Sequence, residues 1–494
     1  NCDFRLAPRS EDFNPKKVIE TKDIIVSYYN THNDLENIII IGRVAFAMSG
    51  HYTPDGHTDE SFGAWPTDLY YGTIGGNWTD FESDTNNPFL FPYHKNIAGD
   101  GKFDNGYLPQ SVVFNVGRID MYNLTFFKES EVELLKRYFQ KDINFRKGQV
   151  RPSNNAIMDY GFDDGYIERF PTEAMINYSA IFGENNYVWK KSRQIMDSEE
   201  YLFFWGAAPG AVDNIYDIVY AEDIAKQNFN SVFTVPFGSR ACEWASQNNI
   251  MRSIIASEPM ALTSRWGCRP YFYTLFLGVG KTIGYCHTFS TNGALESNAS
   301  PSMNRTVHQT LIGDPTLKMY YPEMAENFEV AKTENTYQFS WKNNSKSFAY
   351  NIYYKDNTHQ FYTLLNTEWI RNNNFEIQQD FAGEPEFILK SIEKIENNQG
   401  YYFEESIGVR GDKFNSIDDI LSIHMYPNPT NGEITLARNV NYIQITNLLG
   451  EVVFENINSL NRIDLKNLNL IEGVYFINYK LNNSIFTEKL IFYK

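Results

Sequence analysis

Cysteine, basic residues and long apolar runs are all scarce in this sequence of 494 residues. Its four cysteines are too few for a disulfide scaffold, and their spacing forms neither paired zinc knuckles nor a redox CxxC motif. Lys and Arg number 43 against 61 Asp and Glu, which gives a net charge of −18 and argues against binding of nucleic acid or an anionic membrane. No uncharged apolar run approaches the roughly 20 residues of a membrane-spanning helix. The sequence therefore predicts no nucleic-acid partner and no membrane span.

Apolar and aromatic residues are plentiful, at 42% and 16% of the chain. This composition supports sizeable hydrophobic cores and excludes a disordered chain. Because single cores usually stop growing well below this length, the sequence predicts several domains.

Residues 1–325 alternate short apolar runs with helical patterns. The runs 38–41 and 112–116 are typical of buried parallel strands. A capping box of Ser130 and Glu133 predicts a helix whose apolar face carries Val132, Leu135, Phe139 and Ile143. Alternating strands and helices predict an α/β domain with a mostly parallel sheet.

The pattern changes after residue 325 to short runs of alternating apolar and polar residues. Examples are 337–341 and 350–354, which are separated by Asn-rich turns. This alternation predicts two small all-β sandwich domains, at 326–415 and 416–494.

The last stretch carries the most specific motifs in the chain. YPNPTNG at 426–432 precedes ITNLLGEVV at 445–453 and GVYFI at 473–477. In this order they closely resemble the type A C-terminal sorting domain of Bacteroidetes type IX secretion cargo. The resemblance implies that the translocon and sorting machinery bind 416–494. It also implies a protein that is secreted or held at the outer-membrane surface of a Gram-negative bacterium.

Several blocks in 1–325 resemble the gingipain-type cysteine peptidases, which have a caspase-like fold. They are WPTDLYYG at 65–72, NIAGDGKFD at 96–104, VGRID at 116–120 and GDPTL at 313–317. The resemblance implies a caspase/gingipain-like α/β domain. It also implies that 326–415 is the immunoglobulin- or fibronectin-like module that follows the catalytic domain in such peptidases.

The family's catalytic His and Cys follow two neighbouring strands. The first position is here FWGAAPG at 204–210, with Ala207 and no His, and the second is FTVPFGSRAC at 233–242, with Pro236 and no Cys at the strand end. Alanine transfers no proton and proline attacks no carbonyl carbon. The sequence therefore predicts that the family dyad is lost.

A relocated dyad is the alternative. Cys242 lies just beyond the second strand end, and His287 follows a strand predicted near 282–283. A thiolate nucleophile needs such a neighbouring base. However, a free Cys more often packs as a small apolar group, and His308, another candidate, more often makes a structural hydrogen bond.

The loop around Cys242 has further features. Gly238, Ser239 and the pair Glu243-Trp244 resemble an uncharacterised gingipain-like subgroup that has Asp at the position of Glu243. Downstream, Arg265 and Arg269 either contact a carboxylate ligand in the same cleft or form structural ion pairs.

Four aspartates form a candidate calcium site: Asp80, Asp84, Asp100 and Asp104. Calcium prefers carboxylate and carbonyl oxygens, which Gly-rich turns present well. The alternative is that these residues only stabilise turns, since TIGG at 73–76 lacks the acidic run expected of relatives.

Two functional hypotheses follow. The first is an exported pseudo-peptidase that binds a protein or peptide ligand or acts as a scaffold at the cell surface. The second is an active cysteine endopeptidase with a dyad of Cys242 and His287.

Overall fold

The computed structural model describes residues 3–51, 63–84, 91–162, 170–190, 199–267, 269, 271–293, 305–333, 336–411, 425–440, 442–448, 450–458, 460–468, 470–481 and 484–493. The chain divides into two compact units. The first consists of Asn1–Met324, Asn344–Asn351 and Lys390–Gly408, and the second of Ala325–Asn343, Ile352–Leu389 and Val409–Lys494. The domain boundaries drawn from the sequence, at 325/326 and 415/416, stay predictions.

The α-helices of the described ranges lie in the first unit. The described ones are α1 (Pro15–Tyr29), α2 (Leu69–Gly72), α3 (Glu131–Arg146), α4 (Pro171–Phe182), α5 (Ala221–Ile224), α6 (Ile250–Ala256) and α7 (Ile283–Thr291), with a 3₁₀ turn at Thr274–Val279. The strands are β1 (Asn37–Ile41), β2 (Ala47–Ser49), β3 (Trp65–Thr67), β4 (Asn115–Ile119), β5 (Ser153–Tyr160), β6 (Tyr187–Trp189), β7 (Tyr201–Ala207), β8 (Asn214–Ile215), β9 (Val219–Tyr220), β10 (Ser231–Phe237), β11 (Thr263–Trp266) and β12 (Thr310–Gly313).

Eight of these strands form one sheet in the order β1-β4-β12-β11-β10-β7-β5-β6. Strands β11, β10, β7, β5 and β6 pair in parallel, as do β1 and β4, whereas β11 and β12 are antiparallel. Every residue of β7 and β10 is buried, as expected for strands with both faces covered. The run predicted at 112–116 forms its strand three residues later, as β4.

Helix α3 begins where the sequence predicts but buries a face that is only partly the predicted one. Ser130 caps it, and the reciprocal bonds of the capping box with Glu133 are present. Of the predicted apolar face, Leu135 and Phe139 pack against the core, whereas Val132 and Ile143 are exposed. The buried side chains are Leu134, Tyr138, Lys141, Asp142 and Phe145. Polar groups can face the core because it offers them partners: the Tyr138 hydroxyl donates to the carbonyl of Leu262 at 2.9 Å.

Among the remaining strands, Thr336–Lys342 alternates buried and exposed residues, whereas Ala349–Lys355 buries its first four residues in a row. The strands of this part are β13 (Glu326–Thr333), β14 (Thr336–Lys342), β15 (Ala349–Lys355), β16 (Thr363–Leu364), β17 (Asn374–Gln378), β18 (Glu386–Asn397), β19 (Gly400–Glu405) and β20 (Val409–Arg410). One sheet has the order β13-β14-β17, and another has β16-β15-β18-β19 with β20 on β18.

The C-terminal part contains β21 (Met425–Tyr426), β22 (Glu433–Val440), β23 (Tyr442–Asn447), β24 (Val452–Asn456), β25 (Leu460–Asp464), β26 (Gly473–Leu481) and β27 (Ser484–Phe492), with a 3₁₀ turn at Leu465–Leu468. Its sheets have the orders β21-β22-β25 and β24-β23-β26-β27 and share one apolar core. The Asn428 side chain donates to the carbonyl of Lys489 and accepts from the N–H of Ile491. The YPNPTNG motif is therefore bound to the last strand.

Candidate functional site

The carboxyl ends of β7 and β10 lie side by side. Ala207 pairs with Phe237, and Pro236 pairs with Gly206. The loops that follow approach closely, because a Cβ on Gly238 would lie 2.8 Å from the Cα of Gly210. Both positions named by the resemblance are thus buried in the sheet, and neither carries a thiol or an imidazole.

Cys242 lies in the loop after β10 and is 2% exposed. Its Sγ approaches the carbonyl oxygen of Ser239 at 3.9 Å, within the same loop. Enclosure of this kind is typical of a cysteine that packs as a small apolar side chain.

His287 lies on helix α7, where the sequence analysis expected the end of a strand. Thr282 caps this helix and accepts from the N–H of Tyr285, so the strand predicted near 282–283 is wrong. Burial, reinforced by the charge of Arg265, holds the pKa of His287 well below its ordinary value. The imidazole is therefore neutral at physiological pH, and its surroundings oppose the imidazolium that a Cys–His ion pair requires.

The other candidates from the sequence are held by structural contacts. His308 Nε2 is bonded to the carbonyl of Ser49 at 2.9 Å, as its structural interpretation predicts. The buried Arg265 donates to the carbonyl of Tyr271 at 2.6 Å and to the side chain of Gln309. Arg269 lies over the ring of Phe170, 5.7 Å from its centroid.

A cleft of about 560 Å³ opens beside the loop that carries Cys242. The described residues that line it are Tyr93, Ala211, Val212, Asp213, Arg240, Glu243, Ser246, Gln247 and Asn248. The residues that the sequence placed near a ligand, Arg265 and Arg269, are not part of this lining, and Arg240 is the basic residue there.

Arg240 is held in place from three sides. Its guanidinium lies over Phe91, 4.5 Å from the ring centroid, and Nη2 donates to the Tyr93 hydroxyl at 3.0 Å and to Glu243 Oε2 at 2.8 Å. Ser246 donates to the other Glu243 oxygen at 2.9 Å. Glu243 is buried, so the ion pair compensates a carboxylate that has left water.

His94 lies behind Glu243 and is completely buried. Its ring stacks on Trp65 at 3.9 Å, and Nε2 is 3.7 Å from Glu243 Oε1, just beyond hydrogen-bonding distance. Neither ring nitrogen has a hydrogen-bond partner in the described part of the chain. Burial, with the positive charge of Arg240, lowers the pKa of His94 to about 2. No sequence motif surrounds Tyr93 or His94, so neither residue is predicted from the sequence.

Three of the four predicted calcium ligands bind backbone N–H groups. Asp80 accepts from Gly99 and Gly101 at 2.7 Å each, and Asp104 accepts from Phe81 at 2.6 Å. Asp100 accepts from the N–H of Lys102 at 2.9 Å within its own turn. These bonds are those of turn-stabilising aspartates.

Asp84, the fourth predicted ligand, faces His51, whose Nδ1 is 2.5 Å from Oδ1. Burial raises the pKa of Asp84 to about 6, although His51 acts in the opposite direction. Within the described ranges, no group of three or more His, Cys, Asp or Glu side chains is arranged to hold a metal ion. Calcium binding by the four aspartates stays a prediction.

One comparison with known proteins concerns the C-terminal part. Residues 424–493 match the family model described as "Secretion system C-terminal sorting domain". These residues form a type IX secretion sorting domain. The protein is therefore an exported type IX cargo, secreted or attached to the cell surface, and it interacts with the type IX secretion machinery. Among the described helices, none is both long and apolar enough to cross a bilayer.

The rest of the chain is less clearly related to known proteins. No gingipain or caspase-like family model was found, and no curated protein matches the sequence. Solved structures similar to part of the chain include two fibronectin type-III domains of chicken tenascin, with 13% identity, 34% of this chain and 99% of that chain covered, and a TM-score of 0.14. Another is Tp47, the 47-kilodalton lipoprotein of Treponema pallidum, with 9% identity, 37% of this chain and 55% of that chain covered, and a TM-score of 0.13. These TM-scores are too low to assign a fold.

Proposed function

We propose that the exported protein is a gingipain-like binding protein that has lost the family's His/Cys dyad and holds a protein or peptide ligand outside the cell. The observation that carries this proposal is the pair of strand ends at Ala207 and Pro236. A cysteine peptidase needs a base and a nucleophile on rigid supports, and these two side chains supply neither.

The residues of the alternative dyad also favour binding over catalysis. Cys242 is buried although the charge of Arg240 acts on it, and reactive cysteines are usually accessible as well as next to positive charge. His287 is kept neutral by burial. The relocated dyad would have to rearrange before a thiolate could form and meet a substrate.

The cleft beside the loop has the properties of a ligand site. Its volume of about 560 Å³ lies in the range of small-molecule and peptide-segment pockets. Its walls offer a guanidinium at Arg240, a carboxylate at Asp213 and the amide of Gln247. Such mixed donors and acceptors suit the backbone and polar side chains of a peptide.

Two properties test the proposal, cleavage and retention of peptides. The full chain is incubated with a tryptic digest of a bacterial proteome, and mass spectrometry records new peptide termini and retained peptides. We expect no new termini, with the same result for Cys242→Ala. We expect retained peptides to be lost in Ala211→Trp, which fills the cleft, and kept in the control Ala331→Trp, whose site on β13 is exposed.

Either of two results would contradict the proposal. New termini that depend on Cys242 would establish a cysteine peptidase. Equal retention by the wild type and Ala211→Trp would show that the cleft is not the binding site.

A further inference from the structure

One edge of the Arg240 guanidinium is open. Nη2 is bonded to Tyr93 and Glu243, and Nε is enclosed by protein. Nη1 has no hydrogen-bond partner in the described part of the chain and is not among the enclosed atoms. Because Arg240 lines the cleft, Nη1 presents two N–H donors to a ligand there.

We infer that the cleft binds its ligand through a carboxylate held by Arg240 Nη1. The inference rests on the proposed binding function and names the ligand group. In the free protein the charges of Arg240 and Glu243 compensate each other. A bound carboxylate accepts from Nη1, at the edge of the guanidinium that Tyr93 and Glu243 leave open.

Matched peptide pools test the inference. Two pools of N-acetylated tripeptides without Asp or Glu have identical sequences, one with free C-terminal carboxylates and the other with carboxamides. Equilibrium dialysis against the full chain, read by mass spectrometry, gives the retention of each pool. We expect the acids to be retained about tenfold or more over the amides, the equivalent of one charge-assisted hydrogen bond.

The variants separate the roles. Arg240→Gln should abolish the preference for acids, whereas Arg462→Gln, at an exposed ion pair with Glu433, should keep it. Glu243→Gln removes the competing negative charge and should raise retention of the acids, a gain that misfolding cannot produce.

Equal retention of the two pools, or a preference that survives in Arg240→Gln, would overturn the carboxylate site. Weaker retention of the acids by Glu243→Gln would contradict competition between Glu243 and the ligand carboxylate for Arg240. Retention of both pools that is lost in Ala211→Trp would refute the carboxylate site and leave the proposed binding function standing. Cleavage of the tripeptides that depends on Cys242 would instead refute the proposed function.

Discussion

Arg118 and Asp68 form a buried, bidentate ion pair, with Nε 2.6 Å from Oδ2 and Nη2 2.8 Å from Oδ1. The two residues belong to two of the blocks that resemble gingipain-type peptidases, 65–72 and 116–120. A third block lies against the second, because a Cβ on Gly117 would be 2.3 Å from the carbonyl oxygen of Gly313. Packing and ion pairing account for these blocks, so their presence gives no evidence of catalysis.

The Arg118→Met variant tests this structural role. It would leave Asp68 buried without its partner, which typically costs about 3–5 kcal/mol of unfolding free energy. Urea unfolding followed by tryptophan fluorescence measures the loss. Trp244 is a suitable reporter because its ring lies 4.7 Å from the guanidinium of Arg118. Arg462→Met, at an exposed pair, should cost less than about 1 kcal/mol. Equal losses in the two variants would contradict the role given to Arg118.

Replacement of His94 by phenylalanine should stabilise the protein. The new ring can keep the stacking on Trp65 and removes two unpaired nitrogens, so the free energy of unfolding should rise by about 1–3 kcal/mol. His308→Phe is the control, because it loses the bond to Ser49 and should destabilise the protein. Calorimetry measures both, and a lower unfolding temperature for His94→Phe would show that its nitrogens have partners.

Lys141 should make stability depend on pH. Burial, with the charge of Arg137, lowers the pKa of Lys141 to about 7. Above this value the folded protein loses the proton while the unfolded chain keeps it up to the ordinary lysine pKa. Since the unfolded state then binds more protons, stability should rise by about 1–2 kcal/mol from about pH 7 to about pH 9.

The variant Lys141→Met should lack most of this rise, whereas Lys136→Met, exposed on the same helix, should keep it. The Lys141 variant also loses bonds from Nζ to the carbonyls of Ile255 and Ala261, both 2.8 Å, so it should be less stable at every pH. Chemical denaturation across the pH range measures both effects. An unchanged rise in Lys141→Met would assign the dependence to other groups.

Export should depend on the attachment of Asn428 to β27. Asn428→Ala loses two hydrogen bonds to that strand, so it should destabilise the sorting domain and reduce the secreted fraction. Deletion of 424–493 should abolish export, and Asn467→Ala, which loses only a bond to Asp464, should not affect it. Immunoblots of medium, cell-surface and periplasmic fractions distinguish these outcomes. Normal export after the deletion would contradict the assignment of the sorting domain.

The sequence predicts elements better than it predicts which faces they bury. The start of α3 is visible in Ser130 and Glu133 because capping is a local interaction. Its buried face is not, since Tyr138 and Lys141 are held inside by carbonyl groups more than a hundred residues away. The place of β12 between β4 and β11 is likewise set by tertiary pairing.

Some residues of the candidate site are likewise visible in the sequence, and others are not. The strand ends and the loop with Cys242 and Glu243 are visible in one continuous stretch of sequence. Tyr93 and His94 come from a segment some 150 residues earlier, and only the folded chain brings them to Glu243. No periodicity or short motif relates segments so far apart.

The reactivity of Cys242 is the most direct test of the central claim that the α/β unit binds rather than cleaves. Iodoacetamide labelling of the native full chain from about pH 5 to about pH 9, mapped by mass spectrometry, reports the thiolate at each cysteine. The account predicts slow labelling of Cys242 at every pH and fast labelling only after unfolding in urea. Rapid labelling of native Cys242 well below pH 8 would reveal an activated thiolate and contradict the account.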